Sequence, residues 1–303
     1  MSNLDIKNFT PETTTVWDFP IRGDWATHKG DYRGNFAPQI ARNILLNYSV
    51  EGALVLDPMC GSGTTLIEAR LLNRNAIGYD INVNAVEITR ARLAFDVPHA
   101  AKQDVQRGDV RHLDALANDS VDLVLTHPPY ANIVKYSDGK NPDDLSSISN
   151  LHTFLDELEK GIAEMYRVLK PDHYCAIVIG DTRQGQHYVP LSHFVLDRCL
   201  RAGLALKEEI IKTQHNTTHA PRWAGAARSY RFYLIMHEHL FVFRKPRADE
   251  DFSRIKHSVL RGDTRTGRGD TSAVRGDTSA VRGDTRAVRE NKTRYATRQK
   301  NAP

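Results

Sequence analysis

The sequence predicts an α/β domain whose mostly parallel, twisted sheet carries helices on both faces and is closed by an antiparallel strand pair. Three observations carry this. Short apolar runs alternate with helical stretches from Ala53 to Ile179. Three of these runs lead into acidic or proline-rich turns, where such sheets hold their ligands. Two later runs, Leu206–Lys212 and Leu240–Phe243, have the character of the closing pair.

In chain order, Gly34-Asn-Phe-Ala-Pro38 precedes a helix over Gln39–Asn47. Ala53–Leu56 is a short buried-type strand entering the turn Asp57-Pro-Met-Cys-Gly-Ser-Gly-Thr-Thr65, and a helix follows over Leu66–Asn73. Ala76–Tyr79 is a second strand ending in Asp80, before a helix over Val83–Ala94. Val121–Leu125 runs into Thr126-His-Pro-Pro-Tyr130. Phe154–Leu169 has helical periodicity that stops at Pro171, and Cys175–Ile179 is another buried-type strand. The expected catalytic domain is 30–248, with 1–29 as an N-terminal extension and 249–303 as a tail.

The chain has 303 residues, enough for a substantial core. It shows no secretory leader and no apolar run long enough for a spanning helix. Its three cysteines, Cys60, Cys175 and Cys199, are too few and too scattered for a disulfide framework or a cysteine zinc site. An intracellular, cytoplasmic location is the expectation. Charge is unevenly distributed: residues 251–303 carry 13 Lys+Arg against 6 Asp+Glu, leaving 28 basic and 31 acidic residues before them. From Arg261 the tail repeats RGDTRTG, RGDTSAV, RGDTSAV and RGDTRAV, whose glycines and sparse apolar residues predict disorder. It is either a tolerated repeat expansion or a basic tether for phosphates.

Strand, glycine turn, helix and an acid ending the next strand form a nucleotide-binding layout. Gly61 and Gly63 let the backbone turn tightly against a ligand. Asp80 is placed to accept hydrogen bonds from a ribose diol. A dinucleotide would need a third glycine where Leu66 stands, and Asp57 would repel a pyrophosphate. S-adenosylmethionine needs no such glycine, and its cationic amino-acid end suits Asp57. Asp109, just before the expected fourth strand, is either an acceptor for an adenine amino group or an ordinary turn aspartate.

Asp57–Thr65 together with Thr126–Tyr130 resembles the S-adenosylmethionine-dependent amino-methyltransferases of the DNA N4-cytosine/N6-adenine group, over roughly residues 30–245. The resemblance implies a Rossmann-like methyltransferase fold and a cofactor site around Asp57, Pro58, Cys60, Gly61, Gly63, Thr64 and Asp80. It implies a base site at Thr126, Pro128, Pro129 and Tyr130. The exocyclic amine of a base is a weak nucleophile. Acceptors at Thr126 and the Pro128 carbonyl would pyramidalise it, two prolines stiffen the turn, and Tyr130 would stack a base swung out of the duplex. Thr126 departs from the family's usual Asp, Asn or Ser, and its hydroxyl leans towards cytosine N4. His127 reads as a spacer or a base contact. Phe36 is either a contact at the cofactor's methionine end or a core aromatic.

Residues 213–236 interrupt the closing strands without an acidic residue and combine Arg222 and Arg228 with Trp223 and Tyr230. This insert is either a nucleic-acid-binding loop or a basic surface loop. His237 and His239 share a strand face without a third ligand in view, and read as a structural pair rather than a metal site. Asp181 either lines the pocket or caps a helix. Double-stranded DNA is the expected partner, with a partner restriction nuclease possible. The alternatives are an RNA amino-methyltransferase and a non-catalytic cofactor-binding module.

Overall fold

A computed structural model describes residues 9–130, 143–215 and 220–260, without the side chains of 220–222. The chain divides into two units, 1–261 and 262–303, and all described residues belong to the first. The RGDT repeats lie outside them.

The elements in order are β1 (Val16–Trp17), α1 (Pro38–Tyr48), β2 (Leu54–Asp57), α2 (Thr64–Leu71), β3 (Asn75–Asp80), α3 (Val83–Arg92), β4 (Gln103–Arg107) and β5 (Val121–Thr126). There follow α4 (Leu151–Val168), β6 (Leu169–Ile179), β7 (Thr182–Gln184), β8 (His187–Val189), α5 (Leu191–Arg201), β9 (Ala205–Thr213), α6 (Ala220–Tyr230) and β10 (His237–Arg244). Eight strands form one sheet in the order β1-β9-β10-β6-β5-β2-β3-β4, and β7 pairs with β8 separately. Only β10 runs antiparallel in the large sheet, to both β6 and β9. The chain winds outwards from β2 to β4 and returns to β5 beside β2. That reversal opens a crevice at the carboxyl ends of β2 and β5.

Alternating residues send the core to both faces of the sheet. Leu56, Val124, Ile177 and Phe241 join the cluster beneath α4 and α5, while Val55, Leu123, Val178 and Leu240 join the cluster with α1 and α2. Asn82 and Asn150 cap α3 and α4 by accepting from Asn84 N and Thr153 N.

Four details depart from expectation. The helix expected over 154–169 runs from Leu151 to Val168, and β6 begins at once at Leu169. Pro171 fits that strand because it sits at a register irregularity, beside Asp172 with φ +65°. β4 has no counterpart among the expected elements; Asp109 follows it and precedes β5, the fourth strand counted from β2. The 213–236 insert contains the helix α6 where a loop was expected. Finally, residues before 30 build the core: Trp17 is buried, β1 pairs with β9, and Trp25 Nε1 and His28 Nε2 bond the buried Glu68 at 2.6 and 2.8 Å. Arg42 Nη1 donates to the same carboxylate at 3.0 Å. Past residue 248, Leu206 N donates to Ser258 O at 2.8 Å.

Candidate active site

β2 and β3 deliver two carboxylates to the crevice. Asp57 is almost fully buried; it accepts from Thr65 Oγ1 at 2.6 Å, from Thr126 Oγ1 at 3.0 Å and from Met59 N at 3.3 Å. Burial outweighs these bonds and pushes its carboxyl up to about 7. Asp80 accepts from Gly61 N at 2.8 Å and Asn82 N at 2.9 Å. Burial again dominates, raising it to about 6. Each Asp80 oxygen keeps a lone pair for a further donor.

Glycine is required in the turn between them. Gly63 caps α2 at φ +85°, and a Cβ there would lie 2.5 Å from Thr89 Cγ2. Gly61 has φ +53°. The turn walls a solvent-open cleft shared by Phe36, Pro58, Cys60, Thr64, Asp80 and Pro129 among others. The cleft therefore gathers Phe36, Asp57, Pro58, Cys60, Gly61, Thr64, Asp80 and Asp109 from the predicted cofactor residues, with Gly63 just behind the wall. Phe36 is a buried core aromatic that also lines the cleft. Burial pushes the Cys60 thiol far up, so it stays protonated.

Asp109 reaches the cleft with its carboxylate already engaged. Arg111 donates to it from Nε at 3.0 Å and from Nη2 at 2.6 Å, and Arg111 also holds Glu157 at 2.6 Å. Asp144 is the residue that sequence reasoning missed. It is buried in the cleft wall; Oδ1 accepts from Ser146 N at 2.8 Å, and Oδ2 is buried with no hydrogen-bond partner among the described residues. A buried acceptor left over in this cleft fits a ligand that brings donors, such as a ribose diol or an adenine amine.

The turn after β5 carries the expected base-site residues. Thr126 is 0% exposed, and its hydroxyl donates to Asp57 of the cleft wall. His127 and Pro129 line the cleft. The His127 ring lies 5.9 Å from Phe36, centroid to centroid, and loss of solvation lowers its pKa, keeping it neutral at pH 7. Its Nε2 is 2.7 Å from Tyr130 Oη, which donates to Glu238 Oε1 at 3.1 Å; Lys212 Nζ holds Glu238 Oε2 at 3.2 Å. Burial would raise Glu238, but attraction to the His127 ring once that is protonated, the Lys212 charge and the hydrogen bonds from Lys212 and Tyr130 together hold it below its ordinary value. Gly180, at the end of β6, leaves room for the Tyr130 hydroxyl: a Cβ there would lie 2.8 Å from it. Pro128 is buried behind the wall.

β9 ends on the same edge of the sheet as β2 and β5, so α6 rises from the rim on which the cleft opens. Trp223, Tyr230 and Arg228 are exposed there; the side chain of Arg222 lies outside the described residues. Arg183 Nη2, from β7, donates to Tyr233 O at 2.6 Å and its guanidinium lies 4.9 Å from the Phe232 ring centroid. Among the described residues, no helix is long and apolar enough to cross a membrane.

A reversed parallel sheet, a glycine turn between two acids and a proline turn at the next strand end define a nucleotide-cofactor enzyme class. A family model described as DNA methylase matches residues 2–91 and 121–300, and this chain belongs to that family. The family's methyl donor is S-adenosylmethionine, and the cleft residues fit it. The tRNA (guanine(10)-N2)-dimethyltransferase of Methanothermobacter thermautotrophicus is 34% identical over 136 residues, 44% of this chain and 37% of that protein. Type II methyltransferase M.HpaI of Haemophilus parainfluenzae is 46% identical over 80 residues, 26% of each chain. This chain thus spans less than half the length of either curated relative. A solved SAM-dependent methyltransferase of Methanosarcina mazei superposes with a TM-score of 0.48 at 15% identity, covering 67% of this chain and 97% of that one.

Proposed function

We propose that this protein methylates an exocyclic amine of a base in double-stranded DNA. The observation that carries the reading is that one cleft is lined both by the glycine turn and by His127 and Pro129, the residues expected at the cofactor and the base. When bound, S-adenosylmethionine supplies an electrophilic methyl group. Asp80 and the spare Asp144 oxygen would hold its ribose and adenine donors, and Phe36 and Asp57 its methionine end. The Pro128 carbonyl would accept from the target amine, and neutral His127 would offer a second polar contact where Thr126 was expected. Tyr130, its hydroxyl tied to His127 and Glu238, would present a fixed ring to the base. Trp223, Arg228, Tyr230 and Arg222 would engage the polynucleotide.

The lean towards cytosine N4 rested on the Thr126 hydroxyl and loses that support. A tRNA reading stands beside the DNA one because one of the longest stretches of similarity is to a tRNA guanine-N2 enzyme. The test is incubation with methyl-labelled S-adenosylmethionine and either duplex DNA or bulk RNA, followed by digestion to nucleosides. Labelled N4-methylcytosine or N6-methyladenine from DNA supports the proposal and names the base. Label confined to RNA replaces it with the tRNA reading, and cofactor binding without transfer to either removes both.

A further inference from the structure

β10 places successive side chains on opposite sides of the sheet, so Glu238 faces the Tyr130 turn while His237 and His239 face the other way. His239 is paired with Ile179, the last residue of β6, and Asp181 follows two residues later on the same side. One ligand atom from each of Asp181, His237 and His239 lies within 4.8 Å of the other two. The third ligand that the histidine pair lacked in the sequence is supplied by tertiary structure.

His239 is 6% exposed, and its Nε2 is buried with no hydrogen-bond partner, although Asp181 Oδ2 is only 3.3 Å away. This nitrogen and oxygen lie at ion-pair distance, a spacing that two neighbouring ligands of one metal ion also have. Bonds of about 2.0–2.1 Å at tetrahedral angles set neighbouring ligand atoms about 3.3 Å apart. The other ring nitrogen, Nδ1, is 2.9 Å from Glu209 Oε1, the outer-shell carboxylate that leaves Nε2 free to coordinate. Asp181 is held as well: Oδ1 accepts from Ser192 N at 2.8 Å, Oδ2 accepts from Tyr188 Oη, and the side chain is 0% exposed. The half-buried His237 leaves a fourth corner reachable from solvent.

We propose that Asp181, His237 and His239 form a binding site for a divalent transition-metal ion such as Zn²⁺, the 3.3 Å between His239 Nε2 and Asp181 Oδ2 matching two adjacent ligands of a tetrahedral ion. The ion joins the end of β6 to the start of β10, next to the residue that steadies Tyr130, and acts as a structural clamp.

Full-length protein, purified without a histidine tag and stripped with a chelator, is titrated with Zn²⁺ by calorimetry and with Co²⁺ by visible d–d absorption. The expected result is one equivalent bound with tetrahedral Co²⁺ bands. His237→Ala leaves the His239 contacts with Asp181 and Glu209 intact and weakens uptake by more than about 100-fold, beyond the usual cost of losing an outer-shell partner. Glu209→Gln weakens it about tenfold. Far-UV circular dichroism establishes that both variants are folded. Absence of stoichiometric uptake by the parent protein, or uptake that folded His237→Ala leaves unchanged, overturns the proposal.

Discussion

Thr126 Oγ1 donates a 3.0 Å hydrogen bond to Asp57 Oδ1, joining the end of β5 to the end of β2 beneath the cleft. The residue that the sequence places against a base is thus a strut under the cofactor turn. Thr126→Val should cost about 1–3 kcal/mol of stability by leaving a buried acceptor short of a donor. Thermal denaturation reads this, and cofactor affinity should fall with it. Nucleic-acid affinity should hold, and its selective loss would return Thr126 to the base site.

Cofactor affinity should depend on pH through Asp80. With its carboxyl near 6 in the folded protein, about one-tenth is ionised at pH 5, and a ribose diol donates best to the ionised form. Calorimetry should show affinity about tenfold weaker at pH 5 than at pH 7, with Asp80→Asn flattening the curve. The stability contribution has the opposite sign. Asp57 and Asp80 titrate above the unfolded value of 3.8, so theirs is complete below that pH and is lost as pH rises through about 6 and about 7.

Asp144→Asn replaces the unpartnered oxygen with a donor or leaves it neutral. If that oxygen receives a ligand donor, cofactor affinity should fall about tenfold while the fold is kept. A variant with unchanged affinity and a higher melting temperature would make Asp144 a buried charge without a ligand role.

Tyr130→Phe severs the hydroxyl from His127 and Glu238 and retains the ring. Transfer should slow about tenfold with cofactor affinity intact, because only the aim of the base site changes. Equal loss of both would mark Tyr130 as a residue of the fold.

At the rim, Arg228→Ala should lower the salt dependence of DNA binding by about one ion, and Trp223→Ala should weaken single-stranded more than duplex binding. Fluorescence anisotropy across a salt series checks both.

Most of the central sheet was legible because β2, β3, β5 and β6 are apolar runs that end in chemically distinctive turns. β4 was not: in Gln103–Arg107 only Val105 is buried, as befits an edge strand, so no apolar pattern exists to read. β1 is two residues long and depends on pairing with β9. In the site, Asp57, the glycines and Asp80 were readable because local spacing places them together. Asp144 and Asp181 reach their positions only by tertiary folding, and Arg111, two residues from Asp109, captures the carboxylate that looked available. The hydrogen bond from Thr126 to a buried acid 69 residues earlier could not be read from sequence, because a strand's last side chain can point either way.

Glu68 lies in the helix whose first residue closes the glycine turn, and two of its three partners come from Trp25 and His28. A cut or a gene fusion placed at residue 30 would alter no cleft residue, yet it would strip a fully buried carboxylate of most of its donors. The smallest piece of this chain able to hold its cofactor therefore begins upstream of Trp25. Resistance of that leading arm to proteases should report, from a distance, whether the cleft is filled.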